Sequence, residues 1–151
     1  MDSLVLKTNT KQIAITRDGE QTGVLQFDPS DVVFAEKFYN LIAEFQAKAK
    51  EYEPRANELE SNTEKDKNNL PVNFGERLAL LREVCEYIRN RIDHLFGIGT
   101  SQAAFGEVYD TELIVQFLEG LKPFFQKARS EKIKKYTSPA SEKRNKRKWI
   151  F

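Results

Sequence analysis

The alternation of hydrophobic and polar positions predicts a β-hairpin within residues 1–29. Apolar residues alternate with polar ones before and after Asp18-Gly19, in the segments 13–15 and 24–27. This pattern predicts two antiparallel strands joined by a loop of about four or five residues. Because a lone hairpin is only marginally stable in water, we expect its apolar side to pack on a helix.

A first long helix is predicted over residues 30–60. Large apolar side chains recur there at helical spacing and form one stripe, which contains Phe34, Phe38, Leu41, Phe45 and Tyr52. Asp28 or Ser30 can cap the start of this helix, and Pro54 predicts an end or a kink just before it. The polar residues 61–73 then predict a loop.

Two further helices are predicted over residues 74–97 and 110–136, both with apolar positions in steps of three and four. The apolar face of the first is so wide that we expect more than one neighbour to bury it. Between them, residues 98–109 predict a corner with one short turn, because Gly97 suits a helix terminus. Phe105 is expected to fill the gap between the helices.

These elements predict a mainly helical α+β protein in which an N-terminal β-hairpin packs on three long helices. We expect residues 1–137 to form one globular domain, since 151 residues suit one domain of ordinary size. Residues 138–151 have few apolar positions and predict a disordered or extended tail. Ten basic and two acidic residues lie between positions 127 and 148, so a basic end follows an acidic body.

The numbers and positions of cysteine and histidine residues predict neither an active site nor a metal site. Cys85 and His94 lie nine residues apart on one predicted helix, about 13 Å along its axis and on opposite sides of it. They therefore cannot act together as a nucleophile and its base. One cysteine and one histidine provide no zinc site, and the glycine-rich corner lacks the lysine of a phosphate-binding loop. We expect no catalytic activity, cofactor or metal.

The chain shows no secretory signal and no apolar segment long enough to span a membrane, which predicts a cytoplasmic protein without membrane contact. The basic tail raises an alternative, a small nucleic-acid-binding protein. Its cationic side chains would neutralise phosphates and its tryptophan would stack on a base, the residues being Lys143, Arg144, Lys146, Arg147, Lys148 and Trp149. Short basic ends also commonly serve only to increase solubility, so we consider nucleic acid the less favoured partner.

Three stretches resemble a known family in order and spacing: "FDPSDVVFAEKFYNLIAEF", "LREVCEYIRNRIDHLFGIGTSQAAFG" and "FLEGLKPFFQKARSEKIKKYT". They are similar to the small tail assembly chaperones of siphophages and prophages of Gram-positive bacteria. The resemblance covers about residues 23–137. Its most specific part is the corner, with Asp93-His94-Leu95-Phe96-Gly97 followed by Gly99-Thr100-Ser101 and Phe105-Gly106. The family often has an acidic residue where His94 stands.

The resemblance implies a non-enzymatic protein of the bacterial host cytoplasm that is absent from the mature virion. Such chaperones keep the long, apolar, helical tape measure protein soluble until tail tube subunits polymerise around it. Partners would thus be the tape measure protein, the tail tube protein and further copies of the chain. A frameshift near the lysine-rich end would give an extended second form. A structural head or tail completion protein that stays in the particle is a further alternative.

Aromatic side chains are the candidate contacts with such a client. An amphipathic helix binds in a groove through apolar side chains, and this small chain contains eleven phenylalanines and five tyrosines. We expect client contacts on the first helix at Phe34, Phe38 and Tyr39, and at the corner around Phe105.

Overall fold

The structure, a computed structural model, describes residues 1–137 and, within them, the side chains of residues 1–130. Two strands, β1 (Lys11–Arg17) and β2 (Glu20–Phe27), precede four helices. The helices are α1 (Val32–Ser61), α2 (Phe74–Phe96), α3 (Thr100–Phe105) and α4 (Thr111–Thr137). The predicted architecture, mainly helical with an N-terminal hairpin, is confirmed. The predicted basic tail, 138–151, lies outside the described residues.

The hairpin has a tighter turn than the sequence pattern predicts. Asp18 and Gly19 alone connect the strands, with φ angles of 52° and 84°, the left-handed conformations that a two-residue turn requires. The expected loop of four or five residues is therefore wrong. A bulge beside Ile15 and Thr16 shifts the register of the two strands, which obscures the alternation in the sequence at this point.

The side chains of β2 that face inward start an aromatic core shared with α1 and α4. Phe27 stacks on Phe34 and on Phe125, with ring centroids 5.6 and 5.3 Å away. Leu25, Phe38 and Leu121 complete the buried part of this cluster. The hairpin thus packs on long helices, as expected, because an isolated pair of strands cannot bury this much apolar surface itself.

The hairpin also packs on the short helix α3, through Ala103. The carbonyl oxygen of Ala103 accepts hydrogen bonds from the Arg17 guanidinium, at 2.9 Å, and from the Thr22 hydroxyl. On β2, a Cβ placed on Gly23 would lie 2.7 Å from the Cβ of Ala103. Glycine at this position therefore allows the close approach of strand and helix.

The corner between α2 and α4 is held by two side chains of α2, one at each end of α3. At the start of α3, the carboxylate of Asp93 accepts hydrogen bonds from the backbone N–H and the hydroxyl of Ser101, at 2.7 and 2.9 Å. At its end, the Arg89 guanidinium donates to the carbonyl oxygen of Gly106 at 2.8 Å. An acid at the helix N-terminus and a base at its C-terminus also match the helix dipole.

Positive φ angles at Gly97, Gly99 and Gly106 let the chain enter and leave α3 within a few residues. The left-handed αL conformation lies at Gly99, whereas Gly97, the predicted terminator, has φ 118° and ψ 149°. Phe105 is buried between the helices, as expected, in a second core cluster with Cys85, Ile92 and Ile114.

The connection between α1 and α2 is an ordered turn. α1 continues through Pro54 as one helix to Ser61. In the following segment, the Asp66 carboxylate accepts hydrogen bonds from the backbone N–H groups of Asn68 and Leu70. The side chains of Asn73 and Arg77 donate to the carbonyl oxygen of Leu59, so that α2 caps the C-terminal end of α1.

Candidate binding groove

An open groove separates α1 from α4. The backbone of α1 lies close to that of α2, and the backbone of α4 lies close to those of α2 and α3. Between α1 and α4 the backbones lie further apart, and aromatic side chains such as Phe38 and Phe125 bridge them. The wide half of this groove has a volume of about 900 Å³ and is lined by Ala35, Phe38, Tyr39, Ile42, Lys122, Phe125, Gln126, Arg129 and Ser130. The narrow half, of about 250 Å³, is lined by Ile42, Phe45, Gln46, Ala49, Val115, Leu118, Glu119 and Lys122.

The two halves form one continuous groove, because Ile42 and Lys122 belong to both. Along each helix the lining positions follow steps of three and four, so each helix contributes one face. Ala35 to Ala49 and Val115 to Arg129 each span about 21 Å at the helical rise of 1.5 Å per residue. The groove therefore matches about four turns of a third helix.

The lining of the groove is largely apolar, with a buried floor and exposed walls. Phe38 and Phe125 stack across its floor with ring centroids 4.3 Å apart. On the walls, Tyr39 is 74% exposed and Val115 is 51% exposed. A concave and mostly apolar surface of this kind is the usual place to look for a bound partner.

The charged side chains of the groove come from α4. In the narrow half, the Lys122 ammonium donates to the Glu119 carboxylate at 2.6 Å. At the far end of the wide half, Arg129 donates through Nη2 to the carbonyl oxygen of Pro29 at 3.1 Å. Its Nε–H is buried and has no hydrogen-bond partner among the described residues.

The match to known proteins covers this groove. A family model described as a family of unknown function (DUF6673) matches residues 21–148. The chain belongs to this family. All four helices and every residue that lines the groove lie inside the matched range. No curated protein and no solved structure shows a significant match to the chain.

The structure brings together two of the four residues predicted to contact a client. Tyr39 lies on the wall of the groove and is exposed. Phe38 lines the floor, but it is only 4% exposed and also belongs to the aromatic core. Phe34 is half-buried and packs into the aromatic core against Phe27 and Phe96. Phe105 is only 2% exposed and lies in the other core cluster, so the prediction that it offers a contact surface needs correction. The predicted nucleic-acid contacts lie outside the described residues; they are Lys143, Arg144, Lys146, Arg147, Lys148 and Trp149.

Sequence reasoning did not identify the contribution of α4 to the groove. Lys122, Gln126 and Arg129 flank Phe125 at helical spacing and form one wall. The spacing could have indicated a mixed polar and apolar face. It could not indicate that this face lies opposite α1, because that depends on how the corner directs α4.

A second apolar surface lies on the N-terminal half of α2. Leu78 and Leu81 are about half exposed and, with Gly75, Ala79, Arg82, Glu107 and Tyr109, line a hollow of about 610 Å³. The Arg82 guanidinium lies 5.4 Å from the centre of the Tyr109 ring. The expectation that neighbours bury the whole apolar face of α2 is therefore wrong for its first turns.

Cys85 and His94, the residues considered for nucleophilic or metal chemistry, both lie on α2 but differ in exposure. Cys85 is buried, and burial raises the pKa of its thiol above the usual value, which favours the neutral thiol over the reactive thiolate. His94 is exposed at the end of α2. Among the described residues, no cluster of histidine, cysteine and acidic side chains could hold a metal ion. Within the same part of the chain, no helix is long and apolar enough to cross a membrane.

Proposed function

We propose that this protein is a phage tail assembly chaperone that binds the tape measure protein and keeps it soluble during tail assembly. It acts without catalysis in the cytoplasm of the bacterial host and leaves before the virion is complete. Two observations support the proposal: the resemblance of three sequence stretches to that family, and the groove between α1 and α4. The groove carries the argument, because it is a surface that suits a helical client.

The size and surface of the groove fit one amphipathic helix. A helix bound in a groove makes contact through apolar side chains at positions i, i+3, i+4 and i+7. A floor formed by Phe38 and Phe125 and walls that include Tyr39 and Ile42 would receive such side chains over about four turns. A long, apolar, helical client would offer many such segments, one after another.

The openness of the groove suits a chaperone that must release its client. Each site covers few turns, so its affinity for one segment is expected to be modest. Several copies bound along one client would nevertheless hold it strongly, because linked sites raise the effective concentration of one another. Polymerising tail tube subunits would then displace the copies one by one.

The proposal is tested by co-expressing the protein with the large open reading frame that follows its gene. The large protein is expected to be soluble and to co-purify only in the presence of the small one. Tyr39→Glu and Val115→Glu place a carboxylate on exposed groove positions and should each reduce the recovery of soluble client. Ile98→Glu makes the same kind of change at a fully exposed position outside the groove and should leave recovery unchanged.

Two results would speak against the proposal. One is a client that stays insoluble with the small protein present in excess. The other is a loss of solubility that is equal for the groove variants and for Ile98→Glu. If the small protein instead elutes with host nucleic acid, and removal of residues 138–151 abolishes this in a salt-dependent way, the nucleic-acid-binding alternative is favoured.

A further inference from the structure

The wide half of the groove has an uneven distribution of charge. Among the described residues that line it, Lys122 and Arg129 are cationic and none is acidic. Lys122 is already paired with Glu119. Among the described residues, the hydrogen-bond acceptor of Arg129 is neutral, the carbonyl oxygen of Pro29. Of the two, Arg129 is therefore the one that has no acidic partner among the described residues.

The hydrogen bonds of Arg129 show where an acceptor is missing. A guanidinium has five N–H donors in a fixed plane, and Nε together with one Nη can bind both oxygens of a carboxylate. In this protein the Nε–H is shielded from water without an acceptor. A buried donor without a partner is unfavourable. Because Arg129 also lines the groove, a small rotation of its side chain would bring this N–H to an acceptor supplied from outside.

We propose that the groove selects a helix that carries an aspartate or glutamate at the end that lies over Arg129. This rests on the proposed function, since it specifies which helical segments of the client the chaperone binds. The apolar floor holds the helix, and the carboxylate accepts hydrogen bonds from the Nε and Nη2 sides of Arg129. The pair fixes the axial position of the helix in the groove.

The test uses designed peptides and the full chain. Each peptide is an amphipathic helix of about 18 residues, long enough to fill the groove, with one apolar face and a single variable position. That position is placed near one end in one set and near the other end in a second set, because either helix direction satisfies the proposal. Glutamate, glutamine and lysine versions are compared by fluorescence anisotropy.

In one of the two sets, the glutamate peptide is expected to bind roughly ten-fold more tightly than the lysine peptide, with glutamine between them. Arg129→Gln should remove this preference. Lys127→Gln is the matched control, because it removes the same charge two residues away at an exposed position that does not line the groove. It should leave the preference intact.

Three results would overturn the proposal: equal binding of all versions in both sets, no binding at all, or a glutamate preference that persists in Arg129→Gln. If Arg129→Gln unfolds through loss of its bond to Pro29, the peptide comparison on the unmodified protein can still overturn the proposal, because the proposal requires a glutamate preference there. If the preference depends on Arg129 but the co-expressed client stays insoluble, the proposed function fails and this inference stands. If the client becomes soluble but the peptides show no charge preference, the proposed function stands and this inference fails.

Discussion

The corner around α3 and the groove between α1 and α4 both combine aromatic rings with an arginine. They differ in how many hydrogen bonds the arginine makes. At the corner, Arg89 is 9% exposed and donates to Gly106, to Gln102 and, at longer range, to Val108. Its guanidinium also lies 4.9 Å from the centre of the Tyr109 ring. In the groove, Arg129 donates to one carbonyl oxygen, and its Nε has no partner in the part of the chain that the structure describes.

This difference separates the structural role of Arg89 from the binding role proposed for Arg129. A buried charge that has several partners stabilises one arrangement of the chain, and removing a partner is costly. A shielded donor beside an open apolar surface is not needed in the same way for folding. The corner thus accounts for the direction of α4, and the groove that results is available for another molecule.

The largest expected effect is that of Phe105→Ala. This ring is fully buried at the corner, and removing it should lower the free energy of unfolding by about 3–5 kcal/mol. Tyr39→Ala, on the groove wall, is expected to change it by less than about 0.5 kcal/mol. Urea denaturation measures both. A stable Phe105→Ala protein with a specific loss of client binding would contradict the structural role of this residue.

A smaller effect is expected at the contact between the hairpin and α3. Gly23→Ala places a methyl group against Ala103 and should destabilise the protein by about 1–3 kcal/mol. Ala103→Gly alone should cost about 0.5–1 kcal/mol through its helix propensity. In the double variant the clash is absent, so its loss should be smaller than the sum of the two. Additive losses would show that strand and helix do not meet here.

The hydrogen bonds at the start of α3 predict the next effect. Asp93→Ala removes acceptors from both the backbone N–H and the hydroxyl of Ser101 and should cost about 1–2 kcal/mol. Ser101→Ala should cost less, because Asp93 still accepts from the backbone. Combining the two should add little to Asp93→Ala alone, as measured by chemical denaturation. A large additional loss would mean that Ser101 has another essential partner.

Most of the fold could be predicted from the sequence, because the long helices depend on local periodicity. Phe34, Phe38 and Leu41 recur at helical spacing, and this predicts α1 whatever its neighbours are. The glycines around residues 97–106 likewise predict a corner. The two-residue turn could have been predicted from Asp18-Gly19, a pair that favours left-handed conformations. The extent of the strands was harder to predict, since the bulge next to Thr16 interrupts the alternation.

The groove was harder to predict than the fold. Tyr39 and Phe38 could be identified because aromatic side chains on an amphipathic helix are plausible contacts. Arg129 could not, because its significance depends on the position of Pro29, a hundred residues away in sequence. The same limitation explains why the predicted client contact at Phe105 needed correction. Its aromatic character alone does not show whether the ring lies in the core or on a contact surface.

The smallest expected effect lies between α1 and α2, where Glu44 pairs with Arg91 at 2.9 Å. Burial alone would raise the pKa of the Glu44 carboxyl, but the hydrogen bond from Arg91 helps to hold the pKa below its usual value. The pair therefore stabilises the protein above the ordinary glutamate pKa of about 4.3. This contribution is lost as the pH falls through the lowered pKa of the folded state.

Glu44→Gln should consequently lower the free energy of unfolding by about 0.2–0.5 kcal/mol at neutral pH, since both side chains are more than a third exposed and water screens the pair. The difference from the unmodified protein should shrink toward pH 3. Glu36→Gln removes the same charge at an exposed position on α1 and is the matched control. A difference that grows on acidification would mean that burial, rather than Arg91, dominates at Glu44.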